Sequence, residues 1–149
     1  MIKKFYLKFA VIAVVFALQS CSSDDNVSSD QVSHGAYQDG VLILNEGGMA
    51  ASTSSVDFLS DAGVMINDIY RLENGSSNAT GSLLQSMFFN ATHAFIVSGL
   101  ANQITVVDRY TFKYVTTIST DLSAPRYGTV VGNKAYVTNT ADFSTGSDD

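Results

Sequence analysis

Cysteine, proline and positive charge are all scarce in this chain. Its 149 residues include one Cys and one Pro, and only eight Lys and Arg against fourteen Asp and Glu. The single thiol, Cys21, has no partner for a disulfide, so nothing covalent staples the fold. A formal charge of −6 without a basic cluster makes the chain a poor candidate for nucleic acid, where phosphate neutralisation supplies much of the affinity. It is equally unsuited to electrostatic attachment to an anionic membrane. The two histidines, His34 and His93, stand 59 residues apart with no Cys or paired carboxylate at ligand spacing, too little for a zinc site. Each reads as a solvated or capping histidine. There is no G-x-S-x-G elbow, and Asn45-Glu46-Gly47-Gly48 lacks the lysine of a phosphate loop. The expectation is a chain that is not an enzyme and needs no cofactor. Long apolar runs are missing too. The longest, Phe9–Leu18, has ten residues, about half of the roughly 20 needed to span a bilayer.

What is present begins with that run. Lys3, Lys4 and Lys8 surround its start, and Leu18-Gln19-Ser20-Cys21 closes it with small Ser20 ahead of the thiol. Basic residues, a short apolar stretch and a small residue, in that order, form a secretory signal. The residues after Cys21, Ser22-Ser23-Asp24-Asp25-Asn26, are ones no core would bury. The four residues ending at Cys21 resemble the lipobox of bacterial lipoproteins, with Gln19 where a smaller residue is usual. The resemblance implies cleavage before Cys21 and a lipid on that residue, which attaches the protein to the outer membrane. Ser22-Ser23-Asp24-Asp25 resembles the surface-export signal of Bacteroidota lipoproteins, which implies exposure at the cell surface. A periplasm-facing anchor is the other reading. Three Lys leave with the signal, so the remaining chain carries five basic against fourteen acidic residues, a formal charge of −9.

Residues 1–20 are thus read as the signal, 21–39 as the lipidated Cys and a flexible polar tether, and 40–149 as the domain. In the domain, short runs of Val, Ile, Phe, Tyr and Thr alternate with Gly, Asn, Ser and Asp clusters, and helical periodicity is almost absent. This predicts antiparallel strands of an all-β fold. They fall at about Val41–Asn45, Ser55–Ser60, Val64–Tyr70, Gln85–Asn90, His93–Ser98, Gln103–Asp108, Tyr114–Thr120, Tyr127–Val131 and Lys134–Thr138. Gly132-Asn133 predicts a tight hairpin, Asp108–Thr111 a turn, and Pro125 a loop. Phe88, Phe89, Phe95, Val106 and Tyr136 are expected in the core. The Asn-x-Ser/Thr triplets at Asn74, Asn78 and Asn90 read as polar turns.

A repeat is visible. His93–Ser98 aligns with Lys134–Asn139 at an offset of 41, and Gln85–Phe89 aligns with Arg126–Val130. Four strands in a period near 40–45 predict propeller blades. With Tyr136-Val137-Thr138-Asn139, Val41–Gly48, Gln103–Asp108 and Ser123–Tyr127, the chain resembles the YVTN-type β-propellers, and more closely the propeller lipoproteins of Bacteroidota surfaces. The expected fold is a partial β-propeller of about two and a half four-stranded blades. Its first unit would lack the innermost strand, and its last would stop after two. A propeller needs about four to eight blades, so a truncated chain is the favoured expectation and a small complete β-domain the alternative.

The strand order puts two sets of loops on one rim: 82–86 and 125–127, which enter the first strands, and 45–48, 99–102 and 139–142. The candidate ligand residues there are Asn45, Glu46, Gln85, Asn102, Arg126, Tyr127 and Asn139. Their amides, phenol and single guanidinium suit polar recognition. Resemblance to surface propellers that bind corrinoids beside an outer-membrane transporter implies capture of a corrinoid or another nutrient, with such a transporter as partner. The alternative expectation is a structural or adhesive platform for other proteins.

Overall fold

In the computed structural model, residues 34–50, 53–76 and 80–140 are described. The chain divides into two units, Met1–Val32 and Ser33–Asp149. The first, with the signal, Cys21 and most of the expected tether, lies outside the described residues, as does the polar tail after Thr140.

The second unit is all-β, with nine strands in three antiparallel sheets among the described residues. The first sheet joins β1 (Gly40–Asn45), β2 (Ser55–Ser60) and β3 (Met65–Ile66) in that order. The second joins β4 (Leu84–Phe89), β5 (His93–Ser98), β6 (Gln103–Asp108) and β7 (Tyr114–Ile118). The third is a hairpin of β8 (Pro125–Val131) and β9 (Lys134–Asn139). Sheets of three, four and two strands agree with the expected two and a half units, and they do not close a barrel.

Side-chain alternation orders the layers, because successive strand residues point to opposite faces. Leu42 and Leu44 pair with Phe58 and Val56 across β1–β2. This face packs on Leu84, Ala94, Ile96 and Val107 of the second sheet. The opposite face of the second sheet offers Phe88, Phe95, Val97 and Ile104, which pack on Val130 and Val137 of the hairpin. The middle sheet is therefore covered on both sides, and β6 is buried without a break from Ile104 to Val107, with Thr105 as the one polar residue in the run. Phe88 and Phe95 stack with centroids 4.8 Å apart. Gly128 lies against Phe88 so closely that a Cβ there would enter the ring.

Four expectations need correction. Val64–Tyr70 is not one strand: it gives the two-residue β3 and then helix α1 (Ile69–Asn74). The Asp68 side chain caps that helix through Arg71 N, Asp57 Oδ1 accepts from Asp68 N at 2.8 Å, and burial of Ile69 and Tyr70 turns the segment inward. Pro125 is not in a loop but opens β8, a strand position at which its missing N–H is tolerated. Phe89 and Tyr136 are not core, being 37% and 55% exposed: Phe89 is the last residue of β4, at the edge of the packed face, and Tyr136 is on the face of the hairpin away from the middle sheet. Tyr37, placed in the tether by sequence, is 5% exposed. Its ring meets Phe58 and Phe112 edge-on, and its N–H donates to Tyr110 O at 2.9 Å. The packed domain thus starts ahead of Gly40. Burial, then the hydrogen bond its hydroxyl donates to Glu73, pushes the Tyr37 phenol up to about 12. Hydrogen bonds from Lys113 and Tyr37 hold the Glu73 carboxyl below its usual range.

Candidate functional site

The rim is built by the ends of β1, β5 and β9 and the starts of β4 and β8. Its backbone is fixed first. Glu46 O accepts from Leu84 N at 3.1 Å and from Ser54 Oγ at 2.7 Å, tying the loop after β1 to the next sheet. Arg126 O accepts from Ser86 Oγ at 2.6 Å, tying β8 to β4. These two links bring three sheets to one line.

Side chains then bridge the same sheets. Gln85 Nε2 donates to Glu46 Oε1 at 3.2 Å and to Leu83 O at 3.2 Å. Gln85 Oε1 accepts from Arg126 Nη1 at 2.7 Å, and Arg126 Nε donates to Thr140 Oγ1 at 2.9 Å. A carboxylate, an amide, a guanidinium and a hydroxyl thus form one chain of contacts. The amide holds the two charges apart while touching both. The array borders a groove of about 260 Å³ with apolar walls at Leu83, Leu100 and Ala124. An open groove of this kind offers donors and acceptors on one side and apolar surface on the other, the usual make-up of a site for a small polar ligand.

Of the seven rim residues singled out by sequence, Glu46, Gln85 and Arg126 meet here. Three others hold loops. Asn45 Nδ2 donates to Ser55 Oγ and Asp57 Oδ2, both at 2.9 Å, within the first sheet. Asn102 Oδ1 accepts from Ala124 N at 2.7 Å. Asn139 accepts from Ser123 N and donates to Asp121 O, each at 3.2 Å. Tyr127 lies elsewhere: it is 66% exposed and borders a second groove with Thr129 and Tyr136 on the outer face of the hairpin.

Sequence reasoning missed Leu83, Ala124 and Thr140. Leu83 and Ala124 have φ of 51° and 42°, the left-handed region that costs a residue with a Cβ. They precede β4 and β8 and are 41 residues apart, one repeat period. Their carbonyls explain the turn: Leu83 O accepts from Gly99 N, and Ala124 O from Thr140 N and Oγ1. Strained backbone of this sort tends to gather at functional sites. The repeat offset alone could have pointed to the pair, since neither residue type signals a positive φ.

Residues 39–145 match the model of a family described as Domain of unknown function (DUF5074). No curated protein is matched by the chain.

Proposed function

The chain belongs to the DUF5074 family, and we propose that it is a binding protein of the cell surface, held in the outer membrane by a lipid on Cys21 and built as a propeller of the YVTN type. The rim groove captures a polar nutrient, with a corrinoid as the leading candidate and an outer-membrane transporter as recipient. One observation carries this reading: Glu46, Gln85 and Arg126, from three consecutive sheets, converge on one groove. Their pairing is that of recognition, with charge and amide presented together in a fixed array. The repeat supports the propeller assignment, because Gln85 and Arg126 are one period apart and serve adjacent sheets in the same way.

Calorimetry on the full-length protein with a panel of corrinoids and glycans tests the capture. Saturable binding is expected, and Arg126→Ala or Gln85→Ala should weaken it by about 1–3 kcal/mol, the cost of leaving a polar partner unpaired. Absence of binding across the panel would reject it. The anchor has its own test. Labelled fatty acid should enter the wild type and not Cys21→Ala, and equal labelling would refute lipidation at this residue. A platform for other proteins is the second reading, favoured by the exposed Tyr127 and Tyr136 on the outer face of the hairpin.

A further inference from the structure

At the opposite end of the strands from the rim, Arg109 follows β6 in the turn that leads to β7. Its guanidinium lies 5.2 Å from the centroid of Phe89 and 5.6 Å from that of Tyr110. His34 stacks on the other partner of this ladder, 4.9 Å from Tyr110. One guanidinium N–H donates to Asn90 O at 3.2 Å. Among the described residues, the ion pairs are Arg71 with Asp68 and Lys113 with Glu73, so Arg109 has no carboxylate of its own in a strongly acidic chain. The neighbouring Asp108 is already committed, its Oδ1 accepting from Tyr110 N, Thr111 N and Thr111 Oγ1 at 3.0, 2.8 and 2.9 Å.

Beside this cation runs a groove of about 270 Å³, between the start of β1 and the end of β4. Val41 and Leu42 form its apolar side, Phe89 and Tyr110 its aromatic side, and Gln38 adds an amide. None of its lining residues is acidic. We propose that this groove is a second binding site, for a small monocarboxylate with an aromatic or branched apolar body. The aromatic rings contact the guanidinium through cation–π attraction, and its remaining N–H groups can satisfy the two oxygens of a carboxylate. The apolar walls take the body of the ligand. Asp39 and Asp61, joined backbone to backbone near the start of β1, add negative field at this end. That field disfavours a dianionic phosphate more than a single carboxylate. The site is separate from the rim groove, with which it shares no residue.

Calorimetry with 3-phenylpropionate on the full-length protein tests the assignment, with 3-phenylpropionamide and inorganic phosphate as comparison ligands. The acid should bind saturably, and the neutral amide and phosphate should bind at least about tenfold more weakly, as expected where a charge-assisted hydrogen bond is lost. Arg109→Gln should weaken the acid by a similar factor. Should that variant fail to fold, Val41→Glu decides, because Val41 is 58% exposed and its replacement puts a carboxylate on the groove wall without disturbing the core. It should abolish acid binding, while Arg126→Ala leaves it unchanged. Equal affinity for acid and amide, tighter binding of phosphate, no binding of the acid, or unchanged affinity in the folded variants would each overturn the proposal.

Discussion

Ala124 shows how a single residue serves the rim at a cost. With φ at 42° it holds a conformation that a Cβ opposes, a penalty of roughly 1–2 kcal/mol. What keeps it there is a set of bonds to both neighbours: its N–H donates to Asn102 Oδ1, and its carbonyl accepts from Thr140. Ala124→Gly should therefore stabilise the protein, by about 1 kcal/mol after the entropy glycine loses on folding. Urea unfolding of the two proteins measures it, and a lower midpoint for the variant would show that the alanine methyl contributes packing that outweighs the strain. Leu83, one period earlier at φ 51°, is a poorer choice for this test, because glycine there removes a whole half-buried leucine side chain and not a single methyl.

At the scale of elements, legibility in the sequence followed how local the deciding forces were. His93–Ser98 and Gln103–Asp108 have the same limits in sequence and structure, because each is a short β-branched and aromatic run bounded by turn residues. The hairpin at Gly132 was equally legible, as the turn needs the positive φ of 61° that glycine adopts freely. Helix α1 was not. Its six residues are too few for a helical period to show, and its start depends on Asp57, eleven residues away on β2, accepting from Asp68 N. The same division runs through the rim. Gln85 and Arg126 were legible because a repeat offset makes them equivalent. Glu46 followed from strand order. The roles of Asn45, Asn102 and Asn139 as loop ties were hidden, because an asparagine near a turn can equally bond its own loop or face a ligand. The Arg109 groove gave no signal at all, since its walls come from β1, β4 and the turn after β6.

For the whole molecule, the consequence lies in how the three layers end. The middle sheet has apolar residues on both faces and both are covered. The hairpin β8–β9 has only one covered face. Val130 and Val137 point inward to the middle sheet, while Tyr127, Val131 and Tyr136 point outward with exposures of 66, 62 and 55%. Tyr136 stands one period after Phe95, whose ring stacks on Phe88 beneath the hairpin. By repeat equivalence, the outer face of the hairpin corresponds to the face of the middle sheet that the hairpin covers, and among the described residues no layer covers it. Aromatic surface beside backbone at a sheet edge is a template for association. The formal charge of −9 on residues 22–149 opposes this, but surface repulsion is screened over about 8–10 Å at physiological salt, so close contact between two such faces remains favourable. Residues 22–149 produced alone should therefore form oligomers that grow with concentration in light scattering, and should melt with poor cooperativity. Tyr127→Lys with Tyr136→Lys should shift the population toward monomer, since both side chains are exposed and their replacement leaves the packed face of the hairpin intact. A clean monomer with a sharp, reversible melt in the unmodified sequence would mean that this face is stable in water, and the layered packing would then have to be complete in three sheets.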